Sequence, residues 1–147
     1  MKVHFSSQRM NWKTPKAFYA NLNDEFHFDF DPCPPNPSFD GLSVPWKACN
    51  FVNPPYGREL PKWIEKGYDE HLQGKTVVFL IPSRTDTRWW HDYCMKADEI
   101  RFIKGRLKFD DQKNSAPFPS ALVIFNPPTV ASNQAVYVPV PDMTGVK

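Results

Sequence analysis

The sequence lacks any apolar run approaching the roughly 20 residues that a membrane-spanning helix requires. Its first residues also lack the apolar segment of a secretory signal. We therefore expect a cytoplasmic protein with no membrane partner. The cysteines Cys33, Cys49 and Cys94 are odd in number and form no Cys-x-x-Cys pair, so we expect reduced thiols, no disulfide framework and no metal site.

A strong net charge is also missing, because the chain carries a formal charge of only +2. The total charge therefore does not by itself indicate a polyanionic partner. The basic residues are unevenly distributed, however, and concentrate at Arg84, at Arg88 and within 101–108. Local basic patches can bind phosphates even in a nearly neutral protein. The length of 147 residues, with 41% hydrophobic and 15% aromatic residues, predicts one packed domain.

The sequence patterns predict an α/β domain over residues 12–125, with a flexible lead at 1–11 and a proline-rich tail at 126–147. Thr14 and Pro15 are expected to open the first helix, with Thr14 as its N-cap. The order of elements predicts a mostly parallel sheet that ends in an antiparallel hairpin. The predicted helices are 16–25, 59–72 and 88–95, and the predicted strands are 26–31, 48–52, 76–81, 99–103 and 121–125.

The segment Asn53-Pro54-Pro55-Tyr56 follows the second predicted strand and is the most informative motif. Two prolines stiffen a rim whose amide and carbonyl oxygens can accept from one exocyclic amine, and the Tyr56 ring can lie flat on a planar base. This combination suits N-methylation of adenine. Asn-Pro and Pro-Pro also mark ordinary turns wherever they occur, so the motif alone does not exclude a strand that simply ends in a proline turn.

Asp31 follows the strand predicted over 26–31 and begins a proline-laced loop. Ligands of open α/β sheets bind at the carboxyl ends of strands, which makes Asp31 a candidate ligand contact. An aspartate before a proline also initiates turns. The sequence does not decide between these two roles.

Taken in order, the motifs resemble the compact phage-type Dam family of S-adenosylmethionine-dependent DNA adenine-N6 methyltransferases. The resemblance extends across residues 12–125, and Asp31-Pro32-Cys33 belongs to it. Six further segments in one order are far more specific than one tetrapeptide. They are Trp12-Lys13-Thr14-Pro15, Asp40-Gly41-Leu42, Asn53-Pro54-Pro55-Tyr56-Gly57, 80–90, Gly105-Arg106-Leu107-Lys108-Phe109 and Ala116-Pro117-Phe118-Pro119-Ser120.

The resemblance implies a compact Rossmann-like methyltransferase sheet that lacks some of the usual strands. It also implies methyl transfer from S-adenosylmethionine to N6 of an adenine flipped out of DNA. Catalysis is then assigned to Asn53, Pro54, Pro55 and Tyr56. The Asn53 side-chain oxygen and the Pro54 carbonyl would accept from the amine and aim its lone pair at the methyl group.

By the same resemblance, the cofactor is expected beside Trp12, Thr14, Pro15, Asp31, Pro32, Cys33 and Asn53, with Asp31 opposite the methionine ammonium. Asp40 is a candidate for the ribose, although Asp-Gly favours a turn. Tyr56 is expected to stack on the adenine, so that a phenylalanine there would largely suffice. Phe109 is either a second aromatic contact or a core residue. The candidates for DNA backbone contacts are Arg84, Arg88, Arg101, Lys104, Arg106 and Lys108.

Two departures from the common methyltransferase pattern affect the cofactor pocket. The loop from Asp31 to Pro37 contains no glycine, and only 21 residues separate Asp31 from Asn53. A shortened pocket is therefore expected, and a homodimer could complete it. The same rim could serve cytosine N4 or adenine in RNA, or the chain could be a catalytically inactive DNA-binding relative. A phage or prophage origin would place the protein in the cytoplasm of a bacterial host.

Overall fold

Three α-helices and five strands make up the part of the chain that the structure, a computed structural model, describes: residues 12–128 and the backbone of 136–140. The helices are α1 (Lys16–Phe26), α2 (Leu60–Leu72) and α3 (Arg88–Asp92), and a 3₁₀ turn at Cys94–Lys96 follows α3. The strands are β1 (Cys49–Val52), β2 (Thr76–Pro82), β3 (Glu99–Ile103), β4 (Ser120–Phe125) and β5 (Val136–Val140). None of these helices is long and apolar enough to cross a bilayer.

The five strands form one mixed sheet in the order β1-β2-β4-β3-β5. β1 pairs in parallel with β2, and β3 pairs in parallel with β5. β4 lies between β2 and β3 and is antiparallel to both. The predicted α/β class and the antiparallel pairing of β3 with β4 are confirmed. The prediction that this hairpin ends the sheet was wrong, because β5 pairs with the other edge of β3.

Strand β5 also corrects the interpretation of residues 126–147 as a tail. The prolines of this segment suggested irregular structure, yet Pro139 is paired with Phe102 in the β3–β5 ladder. Proline is tolerated in a strand at the edge of a sheet, where its missing N–H need not serve a second neighbour. The predicted lead at residues 1–11 lies outside the described residues.

The strand predicted over 26–31 is reduced to a single bridge between Phe30 and Asn50. Helix α1 continues to Phe26, and His27 then turns the chain with a left-handed backbone at φ 57°. A proline loop follows Asp31, so only three residues remain for an extended segment. These residues still run beside β1, because the Phe51 N–H donates to the Phe30 carbonyl at 3.1 Å.

The hydrophobic core lies on both faces of the two central strands, and β4 is buried along its whole length. Helix α2 covers one face closely at Gly67, where a Cβ would lie 2.2 Å from the Phe79 ring. The β1–β2 register pairs Val52 with Phe79. The chain therefore leaves β1 at Asn53 beside Leu80, which brings the proline rim to the carboxyl edge of the sheet.

Candidate active site

Asn53 has its carboxamide held in one orientation at the end of β1. Its Nδ2 donates to Thr14 Oγ1 at 2.9 Å and to the Trp12 backbone carbonyl. Because a carbonyl only accepts, the amide nitrogen must face Trp12, and Oδ1 must face the opposite way. Oδ1 accepts from the Tyr56 hydroxyl at 2.7 Å. A carboxamide oxygen has a second lone pair, which is available to a substrate donor.

The Tyr56 hydroxyl lies between two acceptors, Asn53 Oδ1 at 2.7 Å and the Leu80 carbonyl at 3.0 Å. Burial raises the pKa of Tyr56 well above its ordinary value, so the hydroxyl stays protonated and remains a donor. It therefore fixes the Asn53 side chain from the sheet side. The expectation that phenylalanine would largely suffice at this position did not include this contact.

Tyr56 also belongs to an aromatic cluster that it forms with Trp12, Phe109 and Phe118. The Trp12 ring centroid lies 5.5 Å from that of Phe109 and 5.2 Å from that of Phe118. Phe109 is fully buried, and its ring centroid lies 6.4 Å from that of Tyr56. Phe109 is thus a core residue that also borders the ring expected to receive the base.

A cavity of about 520 Å³ opens beside Asn53. Its volume falls within the range of roughly 300–1,000 Å³ that is typical of small-molecule sites. It lies where the N-terminus of α1, the loop after Asp31 and the end of β1 meet. Five of the residues predicted to contact a cofactor line it, namely Trp12, Thr14, Asp31, Cys33 and Asn53.

Asp31 presents an acidic group to this cavity and is otherwise surrounded by protein. Its Oδ1 accepts from the Cys33 N–H at 2.9 Å, which is the turn contact that the sequence allowed. Burial raises the pKa of Asp31 to about 6, against the opposing effect of that hydrogen bond. No lysine or arginine of the described residues forms an ion pair with it. Asp31 therefore both starts the turn and offers an unpaired carboxylate to a cationic ligand.

Cys33 lies next to Asp31 in the cavity wall. Burial, reinforced by the Asp31 charge, raises the pKa of Cys33 to about 12. The side chain is thus a thiol at neutral pH, and it is not suited to covalent catalysis by a thiolate. Within residues 12–128, no group of three or more His, Cys, Asp or Glu side chains could hold a metal ion.

The segment 12–16 is fastened to the site by two neighbouring carboxylates. Asp111 Oδ1 accepts from the Lys13 N–H at 3.2 Å, and Asp110 Oδ2 accepts from the Lys16 N–H at 3.1 Å. Lys16 is the first residue of α1, whose N-cap Pro15 supplies no side-chain bond. Asp110 therefore satisfies a free amide at the positive end of the helix. The prediction that Thr14 caps α1 was wrong, because its hydroxyl contacts Asn53 instead.

Three predicted cofactor residues, Pro15, Pro32 and Asp40, are absent from the cavity lining. Asp40 accepts from the Leu42 N–H at 3.0 Å and from the Ser43 hydroxyl at 2.7 Å, so its carboxylate stabilises a turn. Pro32 is buried, and its carbonyl oxygen approaches Gly41 so closely that a Cβ there would lie 2.0 Å away. These residues shape the loop behind the cavity.

Five of the six basic candidates for DNA contacts are exposed, namely Arg84, Arg88, Lys104, Arg106 and Lys108. Arg101 differs from them, because its guanidinium contacts Glu25 at 2.6 Å and Glu99 at 2.9 Å. It therefore links helix α1 to strand β3. Because two carboxylates already neutralise its charge, a DNA contact is not expected from Arg101.

Sequence reasoning missed part of the cavity wall and one ring of the cluster, Phe118. Lys13 and Lys16 could have been predicted as cavity-lining residues, because they flank Thr14-Pro15 in the sequence. Asp111 carried no such signal, because it lies 98 residues from its partner Lys13. The unpredicted lining residues are Lys13, Lys16, Tyr19, Pro34, Pro35, Asn36, Phe51 and Asp111.

Comparisons with known proteins identify the family of the chain. The model of a family described as DNA N-6-adenine-methyltransferase (Dam) matches residues 3–143. A protein of Haemophilus phage HP1 (strain HP1c1), named DNA N-6-adenine-methyltransferase, is 31% identical over 140 residues, and the match covers 79% of this chain and 78% of the relative. The family match spans every element from α1 to β5. The chain therefore belongs to the Dam family and is an adenine-specific DNA methyltransferase.

Proposed function

We propose that the protein transfers a methyl group from S-adenosylmethionine to N6 of an adenine flipped out of DNA, using a compact Rossmann-like methyltransferase sheet. One observation carries this proposal. The Asn53 carboxamide, fixed by Thr14 and Tyr56, lies in the wall of the same cavity as Asp31. A hydrogen-bond acceptor for the base amine is thus placed next to an acidic site for the cofactor.

The chemical difficulty is the weak nucleophilicity of an adenine amine, whose lone pair is delocalised into the ring. Asn53 Oδ1 and the Pro54 carbonyl accept the two amine protons and so favour a more pyramidal nitrogen. The hydrogen bond from the Tyr56 hydroxyl keeps Oδ1 in place, while the Tyr56 ring stacks on the base. Catalysis then rests on positioning and charge distribution, and no covalent enzyme intermediate is required.

The residues of the cavity fit S-adenosylmethionine, which supplies the methyl group on a positively charged sulfonium when bound. The fit rests on Asp31, a carboxylate that lacks a cationic partner among the described residues and faces a space of about 520 Å³. Asp31 would pair with the methionine ammonium. Trp12, Thr14 and Cys33 would border the rest of the cofactor.

Arg84, Arg88, Arg106 and Lys108 would contact DNA phosphates, because they are exposed and such contacts need only local positive charge. Pro55, buried next to Tyr56, supports the rim without contacting the base. A homodimer is not part of the proposal, since nothing in residues 12–128 or in β5 points to a second copy.

Product analysis tests the proposal. The protein is incubated with methyl-labelled S-adenosylmethionine and with duplex DNA, single-stranded DNA or RNA, and each nucleic acid is digested to nucleosides. We expect label in N6-methyldeoxyadenosine. Label in N4-methyldeoxycytidine, or in adenosine from RNA alone, would establish one of the other two substrates. DNA binding without any labelled product would indicate a catalytically inactive relative.

A further inference from the structure

Trp12 is the partly exposed member of the aromatic cluster, and its ring stacks against Tyr56. The two rings are nearly parallel, with an interplanar angle of 22° and centroids 6.5 Å apart. Tyr56 itself is only 4% exposed, and Phe109 is not exposed at all. Because Tyr56 is almost completely covered, a neighbouring ring must move before an adenine can stack on it, and Trp12 is the partly exposed, nearly parallel neighbour.

An indole and a purine are both flat two-ring systems that stack on aromatic side chains. We propose that Trp12 occupies the position of the target base in the DNA-free protein and is exchanged for the adenine when that base is flipped in. This inference rests on the proposed function, because it requires an adenine that enters beside Asn53.

The backbone around Trp12 allows this exchange without dismantling the rim. The Lys13 carbonyl accepts from the Asp110 N–H at 2.9 Å, and the Lys13 N–H donates to Asp111. The Trp12 carbonyl is itself held by Asn53. These contacts fix the backbone from the Trp12 carbonyl through Lys13. In the exchange, the Trp12 side chain rotates about its own bonds while the Asn53 carboxamide keeps its orientation.

Replacement of the indole by the adenine keeps the apolar faces of the pocket covered throughout the exchange. An empty pocket would expose the apolar faces of Tyr56, Phe109 and Phe118 to water, at a cost that scales with the exposed apolar area. The indole covers these faces before DNA arrives, and the adenine covers them afterwards. The ring that leaves and the base that enters make comparable stacking contacts, so the exchange adds little to the cost of unpairing the base.

Fluorine NMR of the unmutated protein tests the exchange directly. The chain contains five tryptophans, so uniform 5-fluorotryptophan labelling gives five signals. Trp12→Phe assigns the Trp12 signal by its loss, and the buried Trp46 and Trp63 serve as internal references. With saturating DNA duplex and S-adenosylhomocysteine, we expect the Trp12 signal to move and to become accessible to a soluble paramagnetic probe. An unmoved, shielded Trp12 signal in a complex confirmed by fluorescence anisotropy would overturn the proposal.

Substitution of Trp12 gives a second test. The two possible roles of the indole, competitor of the base or wall of its pocket, predict opposite changes in base capture. The probe is a duplex with 2-aminopurine at the adenine that the wild-type protein methylates. If Trp12 competes with the base, Trp12→Ala should tighten base capture by about tenfold, the effect of one stacking contact. Trp12→Phe should lie in between, and Trp89→Ala, outside the cluster, should match the wild type. Weaker capture by Trp12→Ala, with an unchanged melting temperature, would make Trp12 a wall of the pocket and overturn the exchange.

The two proposals fail separately. If the wild-type protein yields no N6-methyladenine, the proposed function fails whatever Trp12 does. If the protein methylates adenine while Trp12 stays in the cluster, only the exchange fails.

Discussion

The two sides of Asn53 differ in how ready they are for a ligand. On one side is an open cavity of about 520 Å³ that contains the unpaired carboxylate of Asp31. On the other is the aromatic cluster, where Tyr56 and Phe109 are buried and Trp12, which also borders the cavity, lies beside Tyr56. The side expected to take the cofactor is preformed, whereas the side expected to take the base is closed.

This difference suggests an order of events. A preformed cavity binds its ligand at little reorganisation cost, whereas a closed pocket must first exchange its own side chain. The cofactor would thus bind to the free protein, and the adenine would enter only when DNA supplies the binding energy. Asn53 contacts both sides, through Thr14 and through Tyr56. Substitutions around Asn53 should therefore distinguish effects on the cofactor side from effects on the base side.

The largest effect is expected from Asn53→Ala, which removes the carboxamide that donates to Thr14 on one side and accepts from Tyr56 on the other. We expect turnover to fall by on the order of 10²–10³-fold, the usual cost of deleting one positioned polar group. DNA binding should stay within about twofold of wild type, because phosphate contacts supply most of the affinity. Single-turnover methylation and anisotropy measure the two quantities. Activity that survives at the wild-type level would remove Asn53 from the mechanism.

Asp31→Asn should affect only the open side, and its effect should depend on pH. Burial raises the pKa of Asp31 to about 6. The carboxylate that attracts an ammonium is therefore present above pH 6 and is lost as the pH falls below it. We expect affinity for S-adenosylhomocysteine to fall on acidification in the wild type, and to be about tenfold weaker and independent of pH in the variant. A variant that retains the wild-type pH profile would exclude Asp31 as the titrating group.

The stability of the ligand-free protein should depend on pH in the opposite direction from the affinity for S-adenosylhomocysteine. Both effects arise from the Asp31 carboxyl group. Its pKa is raised from 3.8 to about 6 in the folded chain, so ionisation opposes folding. The contribution of Asp31 to the free energy of unfolding is therefore fully present below the unfolded value and declines as the pH rises to about 6. Urea unfolding of the wild type and of Asp31→Asn across this window measures the difference.

Tyr56→Phe separates the hydroxyl from the ring on the closed side. The ring keeps its stacking contacts, but Asn53 Oδ1 loses the donor at 2.7 Å. We expect turnover to fall by about tenfold and stability by about 1 kcal/mol, the net value of one buried hydrogen bond. Thermal melting and single-turnover kinetics give both numbers. Unchanged kinetics would return Tyr56 to a purely stacking role.

The smallest effect is expected from Asp110→Asn, in the fastening of segment 12–16. The substitution removes the charge that faces the first amide of α1, and an asparagine can still cap. We expect a loss of about 0.3–1 kcal/mol that disappears at high salt. The exposed Asp24→Asn variant is a matched control, because it makes the same change outside the site. A salt-independent loss would indicate a packing role for Asp110.

Elements with a long periodic or apolar signal could be predicted from the sequence. The run 76–81 became strand β2, and the proline rim was placed correctly at the end of β1. The strand over 26–31 was not predictable in its true length, because α1 extends to Phe26 and competes for the same residues. β5 was obscured by Pro139, since only the topology shows that this strand lies at the edge of the sheet.

Within the site, the residue types could be predicted but many of their partners could not. Asp31 and Asn53 lie at chain positions where α/β proteins bind ligands. The contacts that orient them are long-range. Thr14 is 39 residues from Asn53, and Asp111 is 98 residues from Lys13. No local pattern reports such pairs, which is why Thr14 was predicted to be a helix cap.

The most direct test of a preformed cofactor site beside a closed base pocket is calorimetric titration of the DNA-free protein with S-adenosylhomocysteine. We predict binding at one site per chain, with measurable heat and no requirement for DNA. Heat that appears only after DNA is added would contradict this, because the cavity beside Asn53 would then have to form together with the base pocket.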